Sequence, residues 1–236
     1  MLLLAATDAA AASITDRLDD ARRVATGGVE GVTGHWSGVL VDVHAVGVGR
    51  AAAAFTLGRL LADPPRAVIL LGTSAAYPDT DLSADATVVA TADTYVDLGQ
   101  EHGDGVRDIA SLGVRIAPGA PGQTFLSDPR LVDALSPNAD RAGPYHTAEA
   151  STTRPETAAT LVRRWGPALT QSREGAAVAH ACLLESVPMA HLRAMRGRIG
   201  EHGPNPDPEG PVARGTLDAV AASLPAIATA LAHPFS

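Results

Sequence analysis

Apolar residues fall along this chain in two rhythms. One is the short run, unbroken over 2–6 and 67–71 and interrupted by threonine over 86–92 with its β-branched Thr87, Val88 and Val89. Runs of this length predict strands buried on both faces. The other is helical spacing. Ala12, Ile14, Leu18 and Ala21 predict a helix over 9–24, with Asp16, Arg17, Asp19 and Asp20 on its exposed face. Gly27-Gly28 ends it. Residues 51–62 and 176–184 are rich in strong helix formers. A helix over 153–165 carries Pro155 near its first turn, and a short one covers 128–135. The closing helix, 216–232, has Leu217, Val220, Leu224, Ile227 and Leu231 on its apolar stripe and Pro225 as its expected kink. Residues 36–48 predict two strands or one long one, and 145–151 predict another. Val187-Pro188-Met189 opens an extended segment, because proline fixes its own φ and pushes its predecessor to the β region. Residues 118–144 and 203–211, rich in Pro and Gly, read as loops around the 128–135 helix.

Strands thus alternate with helices. That order predicts an α/β protein, a three-layer α/β/α sandwich with a mainly parallel, mixed central sheet, in one domain over 1–236. In open α/β sheets, ligands sit outside the carboxyl ends of strands and at helix N-termini. The stretch 174–202 offers one of each: Glu174 at a helix start and Arg196-Gly197 at a strand end.

Composition narrows the chemistry. A net charge of -8 and a pI near 5.4 argue against a nucleic-acid partner held by phosphate contacts. All 18 basic residues are arginine, which removes Schiff-base chemistry and a Walker-type phosphate lysine. The single Cys182 excludes an internal disulfide and a multi-cysteine zinc site. No metal or cofactor is called for. The first residues lack a basic region, and Asp8 interrupts their apolar run, so they read as a strand, not a signal peptide. No run reaches the roughly 18 apolar residues of a membrane span. A cytoplasmic protein with no membrane partner is the expectation.

Several motifs resemble one family. Glu174-Gly175-Ala176-Ala177, Ala181-Cys182-Leu183, Val187-Pro188-Met189 and Arg193-Ala194-Met195 follow the E-G/A-x-A, helix, V-P-F, R-A-I-S-[D/N] order of the nucleoside phosphorylase and nucleosidase superfamily. The wording is most similar to its futalosine hydrolase branch, a menaquinone-pathway nucleosidase. Asp97, Leu98, Gly99, Glu101, Asp104 and Gly105 match that branch's A-D-L-G-x-E-x-x-D-G-F, with Val106 in place of the aromatic. Gly47-Val48-Gly49-Arg50 resembles the family's S-G-I-G-K turn. Glycine there lets the backbone approach a ligand or simply makes the turn. Gly72-Thr73-Ser74-Ala75 stands at the loop that runs under the sugar in the family, and Thr73 and Ser74 are its hydroxyls. The resemblance runs from Leu2 to about Gly200. It is weakest between Gly113 and Tyr145.

The resemblance implies cleavage of an N-ribosidic bond, a small nucleoside-like ligand and a homodimer. Three devices serve such chemistry. A carboxylate grips the ribose hydroxyls through charge-assisted bonds, an acid or amide serves the leaving base, and a second carboxylate activates water. Glu174 matches the ribose-gripping position. The leaving-group position falls on Gly197, which has no side chain, and Arg196 stands at the family's serine. The water-activating position falls on Ala10, leaving Asp8 as the nearby carboxylate. Arg173 replaces the family's methionine. Losing one catalytic acid or base costs roughly 10²–10⁴-fold. The alternative to a nucleosidase is therefore a redirected or retired member. With Arg173, Arg196 and Arg198 near its pocket, it would take an anionic ligand.

Overall fold

The computed structural model describes residues 1–103, 105–120, 122–201 and 211–232. In chain order its strands are β1 (Leu2–Ala5), β2 (Asp19–Thr26), β3 (Val29–Trp36), β4 (Val39–Ala45), β5 (Val68–Ala76) and β6 (Thr87–Tyr95). They continue with β7 (Gly99–His102), β8 (Gly105–Asp108), β9 (Thr124–Leu126), β10 (Arg141–Thr147), β11 (Thr170–Ser172) and β12 (Met189–Arg198). The α-helices are α1 (Asp8–Thr15), α2 (Arg50–Leu60), α3 (Pro129–Leu135), α4 (Pro155–Trp165), α5 (Gly175–Leu184) and α6 (Arg214–Ala232).

Among the described residues, ten strands form one mixed sheet in the order β11-β10-β6-β12-β5-β1-β4-β3-β2, with β9 beside β6. The parallel set β4-β1-β5-β12 is its centre. A single β11–β5 pairing, Thr170 opposite Ala76, curls the far edge back onto the carboxyl end of β5. The central strands have side chains buried on both faces. Leu3, Ala5, Ile69, Leu71, Ala190 and Leu192 meet residues of α1, α3 and α6 on one face. Leu2, Leu4, Val68, Leu70 and Met189 meet α2 and α5 on the other. Each buried leucine or isoleucine contributes about 1.5–3 kcal/mol, and the two-residue period assigns neighbours to opposite layers. The protein is the three-layer, mixed α/β/α sandwich that its pattern of runs predicts.

Four expectations change. The helix over 9–24 stops at Thr15, where Asp16 caps α1, and 19–26 becomes strand β2. Six of the eight β2 residues are exposed, so the strand has no core face for a pattern to report. Gly27-Gly28 is its two-residue hairpin turn, both residues at positive φ, and Ser37-Gly38 repeats the device between β3 and β4. Strand β10 starts at Arg141 instead of 145. Its Pro144 cannot donate to a ladder, and the register shifts beside it between Gly143 and Tyr145. Strand β5 continues through 72–76, which read as a loop. Finally, α6 is long and apolar enough to cross a membrane by length and composition. Its Leu217, Val220, Leu224 and Ile227 are buried in the core, and packing accounts for its apolar stripe. The loop over 203–211 lies almost wholly outside the described residues.

Candidate active site

Parallel pairing brings Arg193 of β12 level with Gly72 of β5. His191 and Arg193 share a face of β12 with Met189, the α5 side, so two polar residues alternate inside the otherwise apolar stretch 189–195 of the strand. A Cβ at Gly72 would lie 2.6 Å from Arg193 Nη1. Glycine here makes room for the guanidinium.

Above this face, Glu174 stands at the N-terminus of α5, buried. Its Oε1 accepts the Gly49 N–H at 3.1 Å and its Oε2 accepts Arg193 Nη2 at 2.8 Å. Gly49, at φ +88, makes the turn into α2 and also presents its N–H to the carboxylate. Of the two uses that its motif left open, the turn is realised, and the group its backbone approaches is the protein's own Glu174. Burial by itself would raise Glu174. The Arg193 charge and the two hydrogen bonds outweigh it and hold the carboxyl below its ordinary 4.5.

Glu174 and Arg193 border a small polar recess of about 40 Å³ at the carboxyl ends of β5, β11 and β12. Thr73, Ser74, Gln171 and Arg173 line it with them. Thr170 spends its hydroxyl proton on the Ala75 carbonyl at 2.7 Å, so Ser74 donates to Thr170 and turns only lone pairs elsewhere. Gln171 accepts the Thr152 N–H through Oε1, which fixes its amide, and its Nε2 is shut from solvent without a partner. The recess therefore offers an incoming ligand hydroxyl oxygens, a guanidinium and an anchored carboxylate. A larger open cleft, about 450 Å³ and lined by Asp8, Ala45, Gly47 and Val48, shares Ala6 with the recess.

Of the residues singled out in the sequence, Thr73, Ser74, Arg173 and Glu174 line the recess, and Asp8 borders the adjoining cleft. Arg196 and Gly197 are not among the lining residues. Arg196 Nη2 donates to the Pro211 carbonyl at 2.8 Å. Arg198 donates to the carbonyls of Pro78, Thr80 and Leu82. The cluster of three arginines expected to favour an anionic ligand thus reduces to Arg173. Gly197 sits at φ +94 where the β12–β5 register shifts between Met195 and Arg198, a bulge that glycine accommodates.

Sequence reasoning gave no role to Arg193, Gln171, His191 or Asp93. The available signal was Arg193 and His191 at i and i+2 in a buried strand, and Asp93 inside β6. Asp97 acquires a physical role. It takes a bidentate contact from Arg50, at 2.7 and 3.2 Å, and accepts the Glu149 N–H at 2.9 Å. Arg50 Nε reaches Glu149 at 2.8 Å, so the turn that holds Glu174 is itself tied to two loops.

A mixed α/β sandwich with a polar recess at its strand ends, and a glutamate held there by an arginine, defines a class of small-molecule-binding α/β proteins. The phosphorylase superfamily pattern matches residues 1–229, and the chain belongs to that superfamily. Futalosine hydrolase from Thermus thermophilus is 31% identical over 159 residues, covering 65% of this chain and 68% of that protein. Two solved structures share the fold. The 5′-methylthioadenosine/S-adenosylhomocysteine nucleosidase of Colwellia psychrerythraea, in complex with adenine, matches with a TM-score of 0.73 at 20% identity, over 98% of this chain and 93% of that one. The S. pneumoniae nucleosidase with a transition-state inhibitor matches with a TM-score of 0.72 at 19% identity, over 98% and 97%.

Proposed function

We propose that the chain is a nucleosidase of the futalosine hydrolase type, hydrolysing the N-ribosidic bond of a purine-type nucleoside. The observation that supports this most is the Glu174 carboxylate, fixed at the recess by one backbone and one guanidinium bond. Each oxygen keeps a lone pair beyond those two bonds, enough to accept two ribose hydroxyls. Those charge-assisted bonds tighten as the ring flattens toward an oxocarbenium state. Thr73 and Ser74 flank the sugar, and Asp8 activates water from the adjoining cleft. Water oxygen then bonds to C1′ as the C1′–N bond breaks, and the base leaves with the bonding pair. Gly197 gives that base no proton donor, so turnover is expected to be slow.

Chromatography of base release from futalosine and 5′-methylthioadenosine tests the reading. Release that Glu174→Gln abolishes and Asp8→Asn slows supports it. Nucleoside binding without release favours a retired, ligand-binding member, and neither release nor binding overturns the nucleoside reading. A cytoplasmic place in menaquinone biosynthesis belongs to the same proposal.

We infer also that two copies pair. Phe55 on α2 and Leu183 and Leu184 at the end of α5 are exposed on helices that pack side by side. Light scattering of a 24 kDa monomer at micromolar concentration would refute pairing.

A further inference from the structure

Behind the Glu174–Arg193 pair, the hydrogen bonds continue inward. Arg193 Nε donates to His191 Nε2 at 2.7 Å, and His191 Nδ1 meets Asp93 Oδ2 at 3.1 Å. Arg193 Nη1 donates to the Thr73 carbonyl at 2.9 Å, so all three guanidinium nitrogens are engaged. Arginine has only donors. His191 Nε2 must therefore accept, and the single ring proton lies on Nδ1, donated to Asp93. Burial and the adjacent Arg193 charge hold His191 well below its ordinary 6.5, which keeps it in this neutral form. The side chains of His191 and Asp93 are 1% and 3% exposed.

Asp93 is in turn fixed from the other side. Thr147 donates to Asp93 Oδ1 at 2.6 Å while accepting the Ala176 N–H at 2.9 Å. Ser172 accepts the Gly175 N–H at 2.9 Å and meets Thr147 at 3.0 Å. The first two amides of α5 are thus satisfied by hydroxyls that also orient Asp93. Glu174, the residue before them, is held at the opposite end of the same chain of bonds.

We propose that Asp93 and His191 are positioning residues, which fix the orientation of Arg193 and through it the geometry and charge of Glu174. The proposal rests on the nucleosidase reading. Ionised Asp93 draws the Arg193 charge inward through His191 and leaves Glu174 the stronger acceptor for ribose hydroxyls. Neutral Asp93 releases that charge toward Glu174. Other groups facing Asp93 are His146 and Tyr145 of β10, Tyr77 after β5, Tyr95 of its own strand and Glu174. His146 is held down at about 4 and the tyrosines are raised by burial, so none of these titrates near neutrality. Burial pushes Asp93 itself up to about 7.

Two measurements test the relay. In ¹⁵N-histidine spectra of the full chain at pH 7.5, the resonance lost in His191→Gln should show the Nδ1–H tautomer. An Nε2–H or doubly protonated ring overturns the proposal. This readout needs no turnover, so failure of the nucleosidase reading leaves it standing. In base-release kinetics on futalosine, Asp93→Asn should lower kcat roughly 10–100-fold, the scale on which partners behind a metal-ligating side chain act. KM should stay within about threefold, and the rise of rate through pH 7 should vanish. Unchanged kcat and an unchanged pH profile in a folded Asp93→Asn variant would equally overturn the relay. His191→Leu removes both the acceptor for Arg193 and the link to Asp93. Its profile should likewise lose the limb near pH 7.

Discussion

Arg193 Nη2 and Glu174 Oε2 meet at 2.8 Å with their side chains 6% and 3% exposed. Removing one member leaves the other as a buried, unpaired charge. Arg193→Met should therefore lower stability by about 3–5 kcal/mol. Glu174→Gln, which keeps an acceptor and the size, should cost less while abolishing nucleoside binding. Urea unfolding and calorimetric titration separate the two effects. Equal stability loss in both variants would contradict the asymmetry.

Burial pushes Asp93 from 3.8 up to about 7. A folded carboxyl that holds its proton more tightly than the unfolded chain stabilises most below about 3.8. That stabilisation is lost as pH rises through 7. Three units correspond to on the order of 4 kcal/mol. His146 and His191, held below 6.5, act with the opposite sign, losing stability as pH falls below 6.5. The clean observable is the difference between the unmodified chain and Asp93→Asn. Relative to the unmodified chain, Asp93→Asn should gain stability from pH 4 to pH 7 and then level off. A difference that is flat across this range in urea midpoints would contradict the shifted Asp93.

A Cβ on Gly175 would fall 1.8 Å from Asp93 Oδ2 and 2.7 Å from His191. Gly175→Ala should destabilise by at least about 1–3 kcal/mol, because the obstructing atoms belong to a bonded, buried network. Gly58 of α2 is the control. Its Cβ would meet nothing within 4 Å. Gly58→Ala should stabilise by about 0.4–1 kcal/mol. Melting temperatures moving in opposite directions bear this out.

Gly197 adopts φ +94, a region that asparagine tolerates better than other side chains. Gly197→Asn should raise base release by restoring a donor at the family's leaving-group position, at a cost of roughly 1 kcal/mol in stability. Gly197→Val should only destabilise. Rates no higher than those of the unmodified chain in a folded Gly197→Asn would show that position 197 does not serve the leaving base.

The sequence by itself determined the architecture. The all-apolar β1 and the apolar first half of β5 can only be strands covered on both faces, and small, apolar α5 suits a buried helix. It also marked Glu174, Thr73, Ser74 and Arg173, because their motifs sit beside strand ends and a helix start. Local pattern has no access to strands stabilised only by their neighbours. Exposed β2 depends on β3, and the three residues of β11 depend on β10. Nor could spacing decide which arginine meets Glu174. Arg193 lies 19 residues along, Arg196 and Arg198 slightly farther, and only the parallel register of β12 on β5, with Gly72 opening the space, selects Arg193. Asp93 and His191 are 98 residues apart. Their bond exists because β6 and β12 are sheet neighbours beneath the start of α5, where Gly175 lets them approach.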